Sequence, residues 1–205
     1  MLNAFDPKVL NLNPLVATIY GFMSRSECDG LIAAAEGRMT RATVTDGAKG
    51  KVSENRTNSH CPLGMQDTPL VAQMLMKIGI VLRMPIDRAE GPMILHYACA
   101  EEFKPHSDGI DLAVSAEQIA GFERNGGQRL FSTMLYLNEV EAGGGTGFPE
   151  LGLSVAPVPG RLLIFANTLA GSRDMTNLAI HAGEPVEAGE KWAAITWWRE
   201  RARAS

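Results

Sequence analysis

Two short segments carry residue types from which a metal centre can be built. They are His106-Ser107-Asp108, and His181 followed ten residues later by Lys191. Side chains alternate between the faces of a strand, so a His-x-Asp spacing puts imidazole and carboxylate side by side. Two histidines and one carboxylate form a facial ligand set that leaves one side of an octahedral metal open, as in non-haem Fe(II) centres. Lys191 opens the apolar stretch Lys191-Trp192-Ala193-Ala194-Ile195-Thr196-Trp197-Trp198. A lysine buried there without a partner is costly, so it asks for an anion. The blander readings are a His-x-Asp held by chance in a loop and a strand-edge lysine in water. The combination with His181 favours the metal. The other two histidines, His60 and His96, read as ordinary hydrogen-bonded residues.

The elements around these residues fall into two regions. Val16 to Phe22 reads as a short strand after an extended, Asn/Pro-punctuated arm over residues 1–14. Ser24-Arg25-Ser26-Glu27 has the form of a capping box and opens a helix to about Arg38. Thr43 and Val44 suggest a strand, and residues 45–67 a polar, turn-rich loop. Asp67-Thr68-Pro69 opens a second helix running to about Arg83, with proline near the first turn, where it does little harm. Beyond Pro92 the segments 93–98, 103–108, 129–138, 153–158, 161–166, 178–182 and 192–199 are short and strand-like, separated by Gly and Pro clusters. That pattern predicts a β sandwich or barrel with helices packed on one face. Residues 109–127 fit no strand pattern, and a connection of that length suggests a lid or binding loop. The expected organisation is a single domain over residues 1–205, with helical support in 1–90 and a β core in 91–200.

Composition bounds the class. The 205 residues are 45% hydrophobic and 20% charged, enough for one globular core. The net charge of -4 and the absence of a Lys/Arg run exclude the electrostatic footprint of a nucleic-acid binder. Arg199, Arg201 and Arg203 read as a solvated tail. Three scattered cysteines, Cys28, Cys61 and Cys99, argue against a disulfide framework and for a reducing compartment. The N-terminus lacks a leader pattern and no apolar run approaches the ~20 residues of a membrane span, so a cytoplasmic location is expected.

The stretch from Ile94 through Tyr97 and Phe103 to His106 and Asp108 resembles the metal-binding strands of the prolyl 4-hydroxylase family. So do Gly126-Gly127-Gln128-Arg129, Met134 to Asn138, Gly143 to Pro149, and His181 to Trp192. Glu27 to Ile32 resembles the family's N-terminal helix, and Arg56-Thr57-Asn58-Ser59 its substrate-side loop. The matches span roughly residues 14–199 in the family's order. The resemblance implies a mainly β, α+β double-stranded β-helix (jelly-roll), with Fe(II) and 2-oxoglutarate, and it brings in ascorbate and a homodimer as candidates. It carries His106, Asp108 and His181 over as iron ligands, and Lys191 as partner of the distal carboxylate of 2-oxoglutarate. Tyr97, Tyr136, Ser132 and Trp197 would line that cofactor site, and Arg56 would face substrate. Core aromatics are the plainer reading of Tyr136 and Trp197.

The departures fall on the substrate side. Ala100-Glu101 stands where the family usually has Gly-Gln, Phe103 where it usually has tyrosine, and His60 where small residues are frequent. The expected activity is hydroxylation of prolyl residues in a peptide or protein. A free amino acid or other small molecule is the alternative substrate. A non-catalytic metal-binding module and a zinc hydrolase are the alternatives of other classes. Asp108 favours hydroxylation over halogenation, because a small residue there would open a position for halide. Residues 45–67 and 109–127 are expected to close over the open side of the metal.

Overall fold

The computed structural model describes residues 6–46 and 49–203. Residues 1–5 of the expected arm, 47–48 of the expected loop and the last two residues lie outside them. The chain begins with β1 (Lys8–Leu12), β2 (Leu15–Ile19), α1 (Arg25–Ala35), β3 (Thr40–Arg41), β4 (Val44–Asp46), β5 (Lys49–Lys51), β6 (Ser59–Pro62) and α2 (Pro69–Leu82). It continues through β7 (Met93–Tyr97), β8 (Phe103–His106), α3 (Ala116–Arg124), β9 (Arg129–Tyr136), β10 (Ala142–Gly143), β11 (Thr146–Phe148) and β12 (Leu153–Val155). It ends with β13 (Leu162–Ala166), β14 (His181–Gly183), β15 (Val186–Ala188) and β16 (Lys191–Arg199).

The jelly roll consists of two facing antiparallel sheets. The larger has eight strands in the order β1-β2-β13-β9-β16-β7-β6-β3, and the smaller has four in the order β12-β11-β14-β8. Strand alternation divides the core into two layers. Leu135 of β9, Leu137 just beyond it, and Trp192, Ala194 and Trp198 of β16 point outward, against Cys28 and Leu31 of α1 and Met74 and Ile78 of α2. Met134 and Tyr136, with Ala193 and Ile195, point inward against Phe148 and Val186. The helices thus seal one face of the large sheet and leave the space between the sheets for the site.

Local signals placed the helices. Ser24 Oγ accepts from the Glu27 N–H at 3.3 Å, and the Glu27 carboxylate accepts from the Ser24 N–H at 2.6 Å. Thr68 caps α2 with Pro69 in its first turn, and Arg83 ends it in the left-handed region. α1 stops at Ala35, because Glu36 is already extended.

Five expectations need correction, and one is Arg199: it is no solvated tail residue but ends β16, buried and bonded to Glu90 and the Gly127 carbonyl. The N-terminal arm is instead a β1–β2 hairpin paired to β13. The 45–67 loop contains β6, which joins the large sheet beside β7. Residues 1–90 are therefore not only helical support, since β1, β2, β3 and β6 belong to the main sheet. Residues 109–127 contain α3, started by a second capping box in which Ser115 and Gln118 exchange bonds. Glu123 ties this helix to Arg173 and Arg201, and no residue of 109–127 lines the central cavity. Among the described residues, no helix is long and apolar enough to cross a membrane.

Candidate active site

His106 ends β8 and His181 begins β14, and the two face each other directly in the small sheet. Asp108 lies past the end of β8, so strand alternation alone does not place it. The ligating atoms of His106, Asp108 and His181 all lie within 4.8 Å of one another. His181 Nε2 is 3.5 Å from Asp108 Oδ2, and His106 Nε2 is 3.9 Å from Oδ1.

The protons on these rings follow from their other bonds. His106 Nδ1 lies 2.8 Å from the Lys104 carbonyl and His181 Nδ1 lies 3.1 Å from the Ala179 carbonyl. A carbonyl can only accept, so each Nδ1 donates, and in a neutral ring Nε2 then carries a lone pair. Burial, with His181 beside it, pushes the His106 pKa down to about 4. Burial resists ionisation of Asp108, but His181, His106 and Arg129 outweigh it and bring its pKa down to about 2. Two imidazole lone pairs and a carboxylate therefore converge on one point. Such a donor set fits a divalent cation of intermediate hardness, Fe(II) among them.

A second demand comes from Lys191, which is 1% exposed. Its Nζ has one long contact, 3.4 Å to the Gly145 carbonyl, and lies over the rings of Tyr97 (5.1 Å) and Tyr136 (5.6 Å). Burial lowers its pKa to about 7, with Glu184 opposing. Gly144, at φ +69, brings the 143–145 turn against the lysine stem. A buried ammonium with so little company fits a carboxylate ligand.

Histidines, aspartate, Tyr97 and Trp197 line one cavity of about 610 Å³, together with Arg56, His60, Glu90, Phe103, Arg129 and Thr146. Tyr136 lies deeper and donates to Thr146 Oγ1 at 2.7 Å. Ser132 shares the inward face of β9 with Tyr136, as their spacing predicts. Its hydroxyl, however, donates to Asp108 Oδ2 at 2.7 Å instead of joining Lys191. Trp197 stands opposite Ser132, at the metal end of β16 and away from Lys191, under the Arg129 guanidinium at 4.1 Å. Arg56 donates to Asn58 Oδ1 and the Thr43 carbonyl, both at 3.0 Å, and covers Phe103, whose ring stacks on His106 at 3.6 Å.

Sequence reasoning missed Glu90 and Asn167. Glu90 receives a two-pronged bond from Arg129 at 2.6 and 2.9 Å and another from Arg199 at 2.7 Å. No motif marks it. Asn167 stands beside Ser132, and only the β13–β9 pairing brings it there. Two ring nitrogens at the cavity, His60 Nδ1 and Trp197 Nε1, are buried without a hydrogen-bond partner. His96 is elsewhere, bonded to Glu190 at 2.7 Å and packed at a tilt against Trp192.

The chain is similar to known proteins over the same region. The model of the 2OG-Fe(II) oxygenase superfamily matches residues 92–199. Probable prolyl 4-hydroxylase 3 of Arabidopsis thaliana is 29% identical over 212 residues, covering 93% of this chain and 71% of the relative. A putative prolyl 4-hydroxylase of Acanthamoeba polyphaga mimivirus is 30% identical over 176 residues, covering 86% and 70%. Among solved structures, the viral collagen prolyl hydroxylase of Paramecium Bursaria Chlorella virus-1, in its 2OG complex, superposes with a TM-score of 0.69 at 25% identity. That alignment covers 89% of this chain and 94% of the viral one. The matched region holds both facing histidines, Asp108 and Lys191, and the chain belongs to the 2OG-Fe(II) oxygenase superfamily as a prolyl 4-hydroxylase-like enzyme dependent on Fe(II) and 2-oxoglutarate.

Proposed function

We propose that this enzyme hydroxylates prolyl residues within a peptide or protein. The observation that carries the reading is the convergence of His106, Asp108 and His181 at a cavity that Phe103 and Trp197 also line. In this reading the three side chains hold Fe(II), and Lys191 binds the distal carboxylate of 2-oxoglutarate, with Tyr97, Tyr136 and Thr146 around it. When bound, iron with 2-oxoglutarate and O2 supplies the power to oxidise an unactivated C–H bond, releasing succinate and CO2. The chain's own part is positioning and exclusion. The Nδ1 bonds of both histidines select the tautomer in which a neutral ring turns its Nε2 lone pair to the centre. Phe103 and Trp197 wall the substrate side with apolar surface.

The peptide reading is favoured over a free amino acid by the charges at the wall. A zwitterion needs an unpaired cation and anion. Among the described residues, Glu90 is the wall's one carboxylate besides Asp108, and Arg129 and Arg199 both bind it, so no unpaired anion is left for the ammonium end of a zwitterion. Two buried ring nitrogens of the wall stand without a hydrogen-bond partner, the indole Nε1 of Trp197 and Nδ1 of His60, whose pKa burial lowers, with Arg56 adding to the effect. Such groups match the polar atoms of peptide bonds. The names of the relatives agree.

The test is succinate formation with added Fe(II) and 2-oxoglutarate, in the presence of blocked prolyl peptides or of free L-proline. Mass spectrometry reads the gain of one oxygen atom. Oxygen gained by a blocked peptide and not by proline supports the reading; the reverse result overturns it.

A further inference from the structure

We infer that Ser132 and Asn167 form a positioning pair for Asp108, fixing the direction in which its carboxylate meets the metal. The inference rests on Asp108 being a metal ligand. Both side chains are buried, with Ser132 at 0% and Asn167 at 1% exposure. Asn167 Nδ2 lies 3.0 Å from Ser132 Oγ, and Ser132 Oγ lies 2.7 Å from Asp108 Oδ2. A hydroxyl has a single proton, and an ionised carboxylate can only accept. With the amide donating into Oγ, the serine proton goes to Asp108. The bonds therefore run one way, from Asn167 through Ser132 to the carboxylate.

The ends of this chain are held independently. Ser132 lies inside β9, opposite Phe165 on one side and Trp197 on the other. Asn167 follows β13, and its backbone N–H donates to the Leu130 carbonyl at 2.9 Å while its own carbonyl accepts from Thr176 at 3.2 Å. Gly109 packs against the same segment: a Cβ there would stand 2.9 Å from Met175 Cβ and 3.5 Å from Asn167 Cβ. The need for such support is local. His106 and His181 are held by direct pairing of β8 and β14, whereas Asp108 stands beyond the strand. Tying one carboxylate oxygen gives Asp108 the single orientation that its own backbone does not impose.

The experiment is metal titration of apoprotein, with no turnover required. Co(II) is followed by its visible d–d absorption and Mn(II) by calorimetry, each with the melting temperature of the apoprotein. Ser132→Ala is expected to weaken both metals by about tenfold or more and to alter the Co(II) band, and Ser132→Thr to restore both. Asn167→Ala should weaken binding in the same direction, by less. Unchanged affinity and spectrum in folded Ser132→Ala and Asn167→Ala overturn the inference, whatever happens to the melting temperature. Should Ser132→Ala not fold, Ser132→Cys and Asn167→Ala decide by the same criterion. Wild-type protein that binds neither metal, or Asp108→Ala that binds them as wild type does, overturns the ligand assignment beneath it.

Discussion

Lys191 and Tyr97 stand directly opposite each other in the β16–β7 pair, and the ammonium lies 5.1 Å from the centre of the tyrosine ring. Tyr136 presents a second ring to the same ammonium, 5.6 Å away. Ring faces attract a cation, yet they replace only part of its lost hydration. The lysine is thus held charged-group inward in a pocket that becomes favourable once an anion enters. The burial that makes Lys191 costly on its own is the basis for its proposed role as a carboxylate partner.

Lys191→Ala should weaken 2-oxoglutarate binding by about tenfold or more, since a charge-assisted contact is worth roughly 1.5–3 kcal/mol. Metal affinity should change far less. Lys191→Arg should not restore binding, because the planar fork needs more room than the space beneath Gly144 and between two tyrosines allows. Calorimetric titration with 2-oxoglutarate checks both. An unaltered affinity in Lys191→Ala would place the keto acid elsewhere.

The same lysine predicts a pH dependence. Its folded pKa, about 7, is depressed below that of an exposed lysine. With Lys191 as the proposed anchor, 2-oxoglutarate binds the protonated form, so its affinity should fall as pH rises above about 7, by roughly tenfold per unit, until the pKa of the complex is reached. Binding should take up a proton across that range. The stability of the ligand-free protein should move the opposite way. Between pH 7 and the ordinary lysine range the unfolded chain binds the extra proton, so this group makes stability rise with pH. Lys191→Met should flatten both profiles. Titrations at several pH values in buffers of different ionisation enthalpy measure the affinity and the proton uptake together.

His106→Ala and His181→Ala should each abolish turnover, because each removes one of three protein ligands. The fold should survive, since its two core layers are packed independently of any metal. Iron content, succinate formation and circular dichroism of each variant form the check. Turnover at the wild-type rate in either would refute the triad.

Arg56→Ala should raise KM for a prolyl peptide about threefold to tenfold, through the lost cover over Phe103 and the ring it stacks on, His106. KM for 2-oxoglutarate should stay near its wild-type value, because the anchor proposed for that ligand is Lys191. Steady-state kinetics with each substrate varied in turn decides it. An unmoved peptide KM would shift substrate recognition away from the 45–67 segment.

Two substitutions report on the scaffold. Trp198 is fully buried under the helices and donates to Thr133 Oγ1 at 3.2 Å, so Trp198→Ala should cost about 3–5 kcal/mol. Ser24→Ala removes one arm of the α1 capping box and should cost about 1 kcal/mol. Urea unfolding with unchanged slope distinguishes these losses from altered compactness.

Much of this architecture was legible residue by residue. Ser24 and Thr68-Pro69 announce the helices because caps satisfy backbone groups within three residues. Residues 192–199 read as a strand because they form a short apolar, aromatic run set off by Gly and Pro clusters. The unread elements lack such local signals or had them overlooked. β10 and β15 are two and three residues long and exist through pairing with each other. β6 is recognisable only beside β7. α3 did carry a signal, the Ser115–Gln118 box, hidden in a segment judged by its lack of strand pattern.

The sequence by itself determined which groups can bind metal and anion: His106, Asp108 and His181 for one, Lys191 for the other. Residue type and spacing carry that chemistry. Only the tertiary structure decided that Asp108 hangs beyond its strand on Ser132 and Asn167, and that the 109–127 segment turns away from the cavity. It also revealed that Glu90 gathers Arg129 and Arg199 at its wall. Those relationships join residues 24, 35 and 39 positions apart. A hydrogen bond at such separation costs chain entropy that only the whole packed core offsets, so no local pattern foreshadows it.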